Sequence, residues 1–345
     1  MNIFIPENYR PVLPPEETEG SIQKLKWSFE NGLAEALNLR RVTAPLFVLS
    51  GTGVNDDLNG TERAVSFPVR DMGGRSAEVV HSLAKWKRLK LGQYRIPPGK
   101  GIYTDMNAIR ADEELDNIHS LYVDQWDWER SIRPEDRSLA FLREMAEKVY
   151  GVVKAIEMQT CARIPSIAPV LPERLTFIHS EDLLAEWPHL PPREREREAA
   201  RRHGAVFIIG IGMTLADGQK HDGRAPDYDD WSTSTGDGRH GLNGDIILWN
   251  PVLDGPFEIS SMGIRVDRAA LVRQLELEGC TGRSELAFHR ALLAGGGIPL
   301  SVGGGIGQSR LCMFFLRCAH IGEVQASLWP EEMMTACSEN NIILK

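Results

Sequence analysis

From Glu16 to about Leu39 the apolar residues Ile22, Leu25, Phe29, Leu33 and Leu37 recur every three or four positions, which predicts a long amphipathic helix. It runs straight into Arg40-Arg41-Val42-Thr43-Ala44-Pro45-Leu46-Phe47-Val48, a predicted strand. Pro45 would remove a ladder hydrogen bond there, so this strand belongs at an edge or an interface. A Gly, Thr, Asn and Asp-rich loop at Ser50 to Gly60 and a short strand at Ala64 to Val69 follow. His81 to Lys90 reads as a basic helix, and a hairpin is expected from Gly101 to Arg110 and from Ser120 to Glu129 with an acidic connection between them. Leu139 to Ile156 carries apolar positions at helical spacing, and Gly204 to Met213 is an apolar run broken by Gly210 and Gly212, which reads as a buried strand. Strands at Asp245 to Trp249 and Phe257 to Asp267, a helix from Ser284 to Leu293, a glycine-rich turn and a final helix from Gln308 to Ala319 complete the pattern. No period of 20 to 50 residues repeats. Strands arrive as neighbouring hairpins rather than βαβ units, so the predicted fold class is α+β, an antiparallel β-sheet flanked by helices, in a single domain over 1–345.

Composition narrows this picture. With 42% hydrophobic and 25% charged residues in 345, the chain is long enough for a sizeable core. A formal charge of -9 provides no positive field to track a phosphate backbone, so nucleic acid is not the expected ligand. The N-terminus breaks at Pro6 and Glu7 before a signal core forms, and no 18-residue apolar run exists, so no membrane partner and a cytoplasmic location are expected. The charged helical insert at about 181–203, densest at 191–203, mixes both signs and reads as a solvated face laced with i,i+4 pairs. Five cysteines without a C-x-x-C pair argue against a disulfide framework or a zinc site, and Asn2 leaves no N-terminal cysteine nucleophile for glutamine hydrolysis. The nine histidines show no His-x-x-x-His or His-x-x-Glu-His spacing of a metal hydrolase.

The most specific segment is Ser301-Val302-Gly303-Gly304-Gly305-Ile306-Gly307-Gln308-Ser309-Arg310-Leu311. Glycines before a helix let a ligand approach the backbone, and an Arg in the first turn can reach a phosphate. Its place near the C-terminus rules out a Rossmann reading. This arrangement resembles motif 3 of class II aminoacyl-tRNA synthetases. Val42-Thr43-Ala44-Pro45-Leu46 after its helix is similar to motif 1, and Arg110, an acidic loop and Val123-Asp124-Gln125-Trp126-Asp127 resemble motif 2. Phe257-Glu258-Ile259-Ser260-Ser261-Met262-Gly263-Ile264-Arg265 looks like the metal-binding Glu and substrate-binding Arg of the aspartyl branch. Adding His81-Ser82-Leu83-Ala84-Lys85-Trp86-Lys87-Arg88, the stretch Tyr122 to Glu129 and Arg224-Ala225-Pro226-Asp227-Tyr228-Asp229-Asp230-Trp231, the likeness extends over nearly the whole chain to the ammonia-dependent aspartate-ammonia ligase family.

That resemblance implies a class II synthetase-like catalytic domain that converts aspartate, ATP and ammonia to asparagine through β-aspartyl-AMP, working as a homodimer with Mg²⁺. Asp56, Arg110, Gln125 and Arg310 are the implied catalytic residues, with Asp56 receiving ammonium. Activating a carboxylate with ATP needs arginines on the phosphates and carboxylates for the metal. Arg110, His119, Asp245, Glu258 and Arg310 are expected at ATP, with Asp245 and Glu258 on Mg²⁺. Glu258 is favoured because a lone acid before an apolar strand would be costly to bury without a cation. Ser82, Lys85, Lys87, Gln125, Asp127, Asp229, Ser261 and Arg265 are expected around aspartate. Ser82 and Lys85 share a face at i,i+3 if the helix is regular and Lys87 lies about 140° from Lys85, so one lysine is expected to point inward, and geometry does not choose it. Trp86, Trp126, Trp128 and Trp231 are expected in the core. Any of Asp124, Asp127, Asp227, Asp229 and Asp230 could meet the substrate ammonium, Asp127 first. Two rivals share the motifs. An aspartyl- or asparaginyl-tRNA synthetase would need an anticodon-binding domain and a basic surface, and a non-catalytic amino-acid sensor would tend to lose Arg110 and Arg310.

Overall fold

A computed structural model describes residues 3–56, 62–295 and 297–345, so the part of the Ser50 to Gly60 loop from 57 onward lies outside the described residues. The chain opens with α1 (Pro15–Leu37), β1 (Leu39–Arg41), β2 (Phe47–Leu49), β3 (Ser66–Val69), β4 (Arg75–Val79) and α2 (Ala84–Gln93). The hairpin β5 (Gly101–Ile109) and β6 (Tyr122–Ser131) leads to α3 (Leu139–Arg163), β7 (Thr176–His179), α4 (Ser180–Glu186), α5 (Pro192–His203) and β8 (Ala205–Ile209). After the short β9 (Ser234–Gly236) and β10 (Arg239–His240) come β11 (Asn243–Asn250), β12 (Gly255–Ile264), α6 (Arg268–Leu277), α7 (Ala287–Leu293), β13 (Ser301–Gly307), α8 (Gln308–Phe315) and α9 (Glu331–Glu339).

Eight strands of the described residues form one sheet in the order β1-β5-β6-β13-β12-β11-β8-β7. Its interior pairs are antiparallel, and only the outermost pairs, β1 with β5 and β7 with β8, run parallel. Leu25, Phe29, Leu33 and Leu37 of α1 turn inward beside Leu142, Met145, Val149 and Val153 of α3, and Phe29 stacks on Trp126 of β6 with ring centroids 4.5 Å apart. Trp128 and Trp231 are buried as well, whereas Trp86 is only partly covered and lies under Lys90.

Four expectations change. The strand through Pro45 is split: β1 closes the edge of the large sheet, residues 42–46 pair with neither sheet as strand, and β2 joins β4 and β3 in a separate small sheet. Proline supplies no ladder donor, which is why the chain changes sheets there. The glycine-rich run is not a turn. It is β13, buried from Ser301 to Ile306 at the middle of the sheet, and a Cβ at Gly303 would collide with the Glu129 carboxylate, one at Gly305 with Gln125 and one at Gly304 with Met262. The glycines keep that space free for their neighbours' side chains. Helix α2 begins at Ala84, so Ser82 lies before it and shares no helical face with Lys85. Finally, the ion pairs of α5 reach other segments, Arg195 to Asp217, Arg197 to Asp254 and His221 to Glu196, while Ala199 and Ala200 pack inward.

Candidate active site

A cavity of about 710 Å³ opens between β6, β12, β13, the connection after β5 and the segment 222–228. Among the expected residues, Asp56, Ser82, Arg110, His119, Gln125, Glu258, Ser261 and Arg310 line it. Lys85, Lys87, Asp127, Asp229, Asp245 and Arg265 do not, and stand packed behind that wall at 5% exposure or less.

Of the arginines on the wall, Arg110 and Arg310 have no close carboxylate partner among the described residues. Arg310 follows the strand end at Gly307 in the first turn of α8. It donates to the Glu258 carbonyl at 3.0 Å and the Ile118 carbonyl at 3.4 Å, with the Glu258 carboxylate 3.7 Å away. Among the described residues the Arg110 side chain reaches Glu113, at 3.5 Å, and its buried Nε has no hydrogen-bond partner. His119, held through Nδ1 by Asp116 at 2.8 Å, stands with them on the connection. Asp124 organises this end: it accepts from the backbone N–H of Ser309 at 3.0 Å, from the Ser309 hydroxyl at 2.8 Å and from Lys26 of α1 at 2.8 Å. A carboxylate at the start of α8 also meets the positive end of the helix dipole.

Behind the opposite part of the wall lies a lattice of buried charge. Lys85 is 3.0 Å from Asp227 and 3.1 Å from Asp56, while Lys87 pairs with Asp127 and lies 3.7 Å from Glu129. Both lysines therefore point inward, against the expectation of one, because α2 is covered on more than one side. Arg265 grips Glu129 at 3.0 Å and Asp229 at 2.5 Å, with the Tyr228 ring 4.3 Å from its guanidinium carbon. Lys87 and Arg265 thus face three carboxylates, Asp127, Glu129 and Asp229. Burial pushes Asp127 and Asp229 up in spite of these cations. For Glu129 burial acts in the same sense, but Arg265 and Lys87 outweigh it and hold the carboxyl below its usual range. Asp227 is held well below that range by Lys85, His289 and Arg283, against the effect of burial. Direct contacts thus set two cations against three carboxylates, with the buried Arg88 guanidinium near enough to Glu129 to feel its charge.

The other acids considered for the substrate ammonium are already engaged. Asp124 serves α8, Asp227 is bound by Lys85, His289 and Arg283, and Asp230 pairs with Arg137 at 2.5 Å and accepts from the Thr233 backbone. Asp245 is bonded to Arg224 at 2.6 Å, and burial, with the nearby Glu258 charge, pushes its carboxyl up against that pull. Glu258 lies within β12 with its side chain 45% exposed, so the burial argument for it does not apply. Among the described residues no group of three or more His, Cys, Asp or Glu could hold a metal.

Comparison with known proteins decides the family. The family model described as aspartate-ammonia ligase matches residues 16–341. The chain belongs to the aspartate-ammonia ligase family. An aspartate-ammonia ligase of Bacteroides fragilis is 58% identical over 339 residues, covering 98% of both chains, and one of Clostridium perfringens is 55% identical over 342 residues, covering 99% of both. Among solved structures, asparaginyl-tRNA synthetase from Pyrococcus horikoshii complexed with asparaginyl-adenylate superposes with a TM-score of 0.66 at 17% identity, over 91% of this chain and 70% of that one. The fold is therefore that of class II aminoacyl-tRNA synthetases, as the motif order implied. Within this ligase the sequence reading missed Arg224, Tyr228 and His81 as cavity residues. Arg224 carried a usable signal, a lone cation directly before the acids Asp227, Asp229 and Asp230.

Proposed function

We propose that the chain joins ammonia to the β-carboxylate of aspartate at the expense of ATP, through β-aspartyl-AMP, and releases asparagine, AMP and pyrophosphate. The observation that carries this reading is one cavity with Arg110 and Arg310 on one part of its wall and, behind another, Lys87 and Arg265 in direct contact with the three carboxylates Asp127, Glu129 and Asp229. The arginines exchange carbonyl and distant carboxylate contacts for phosphate oxygens, which favours attack of the substrate carboxylate on the α-phosphate. His119 stands beside the nucleotide. Aspartate lies with its α-ammonium toward Asp127, with Asp229 as the second acceptor. Its α-carboxylate is taken by Arg265 with Lys87 or Lys85, which leaves the β-carboxylate at the phosphate; Gln125, Ser82 and Ser261 position it from the wall. Asp56 receives ammonium. Positioning and charge neutralisation supply most of the rate.

Mg²⁺ ordinarily uses one or two protein carboxylates and fills its shell with phosphate oxygens and water. Asp245 and Glu258, near enough for their charges to interact, fit such an ion arriving with ATP, with Arg224 releasing Asp245. The ion would neutralise phosphate charge. The exposed Trp27, Leu46, Phe47 and Phe67 on and around α1, β2 and β3 support pairing of two copies through the motif 1 region. None of the described helices is long and apolar enough to cross a membrane.

Incubation with aspartate, ATP, Mg²⁺ and ammonium should yield asparagine and AMP, and glutamine should not replace ammonium. With hydroxylamine the β-hydroxamate should form; recovery of the α-hydroxamate would overturn the orientation of aspartate. Sedimentation at micromolar concentration should give a dimer, and a fully active monomer would remove that part of the reading.

A further inference from the structure

We propose that His81 is the base that takes a proton from ammonium, so that its Nε2 atom marks the place of the attacking nitrogen. The inference rests on the ligase reading above and extends it to the amide-forming step. His81 lies between β4 and α2, is 2% exposed and lines the cavity beside Asp56. Its Nδ1 is 3.1 Å from the Asp56 carbonyl oxygen. A carbonyl only accepts, so Nδ1 carries the hydrogen and donates it, and in the neutral ring Nε2 then holds a lone pair. That Nε2 is buried and has no hydrogen-bond partner among the described residues. The placement is rigid, because the Asn55 side-chain oxygen accepts from the backbone N–H groups of both Asp56, at 3.0 Å, and His81, at 2.8 Å. Among the described residues the Asp56 carboxylate also has no hydrogen-bond donor, and Lys85 is its counter-charge. Two open acceptors therefore share one piece of wall. The charged and titratable groups around them are Asp56 itself, Lys85 of α2, Glu62, the Arg63 and Asp112 ion pair, and the Tyr228 hydroxyl, which burial keeps protonated.

Ammonium is a weak acid, and as a residue type imidazole, titrating near about 6.5, is a far better base for it than a carboxylate near about 3.9. One ammonium proton moves to Nε2, and the freed lone pair attacks the acyl carbon. The N–C bond forms as the C–O bond to phosphate breaks, its electron pair leaving on AMP. The surplus proton on the new amide nitrogen passes to Asp56, and both protons return to water. The Asp56 anion first holds ammonium and then stabilises the imidazolium.

His81→Asn and His81→Gln should lower asparagine formation from ammonium at pH 7 by roughly 100-fold. Hydroxamate formation should stay within about threefold, because hydroxylamine is already uncharged at that pH and needs no base to become a nucleophile. The asparagine deficit should shrink as pH rises toward 9 and solution supplies free ammonia. Equal losses with the two nucleophiles, or no loss of asparagine formation, would overturn the proposal. If the unaltered protein forms neither product, the ligase reading has failed instead.

Discussion

The wall of the cavity and the lattice behind it use the same residue types to opposite ends. On the wall, Arg110 and Arg310 keep side-chain exposures of 25% and 19% and stand 3.5 Å and 3.7 Å from their carboxylate neighbours. Behind it, Arg265, Lys85 and Lys87 are at most 1% exposed and every one is paired with carboxylates. On the wall the cations are free to take up phosphate oxygens without first breaking a buried pair. Behind it the cations stay saturated until substrate arrives, since a buried ion without its partner costs several kcal/mol.

The sharpest way to break this comparison is to remove a lattice cation. Arg265→Ala leaves Glu129 and Asp229 without it and should cost about 3–5 kcal/mol of folding stability, read by chemical denaturation. The milder Arg265→Lys should keep the fold and raise the KM for aspartate strongly, because an ammonium cannot reproduce the guanidinium fork. On the wall the expected split is reversed. Arg310→Ala should lower kcat/KM by about 10²–10³, or roughly 3–4 kcal/mol of transition-state stabilisation, while the thermal midpoint hardly moves. A large loss of stability there would erase the distinction between the two regions.

A smaller effect probes the boundary between them. Gly303→Ala places a methyl group in the Glu129 carboxylate and should destabilise by about 1–3 kcal/mol, although alanine normally suits a strand better than glycine. An effect of similar size concerns a buried neutral group. Burial holds the His320 ring down at about 4, although Asp116 pulls the other way. The unfolded chain therefore takes up a proton between about pH 6.5 and 4 that the folded chain refuses. Its contribution is complete above about pH 6.5 and is lost as pH falls through that window, by about 1–3 kcal/mol. Urea titrations at pH 7 and pH 5 should reveal the slope, and His320→Asn should flatten it.

Much of the fold was legible because long periodic helices and the order of three motifs survive in one dimension. The α1 stripe from Ile22 to Leu37 and the β5 and β6 hairpin lie where periodicity placed them. What failed depends on neighbours distant in sequence. Four glycines between Ser301 and Gly307 read locally as a turn, and only Glu129, Gln125 and Met262 packing across them explain a central strand. The inward direction of both Lys85 and Lys87 likewise depends on carboxylates from other segments, Asp227 and Asp127. At the site, the motif arginines could be named from their positions, but the open nitrogen of His81 depends on a carbonyl 25 residues earlier in the chain, and no local pattern marks it.

The glycine strand has one more consequence, for how the site can change over generations. Every substitution at Gly303, Gly304 or Gly305 adds atoms and none can take any away, so variation there can crowd the neighbouring side chains but never widen the space around them. A roomier pocket for a larger acid substrate cannot arise from the middle of this sheet. Such change has to come from the strands on either side, at Gln125 of β6 or Ser261 of β12, where side chains exist to be shortened.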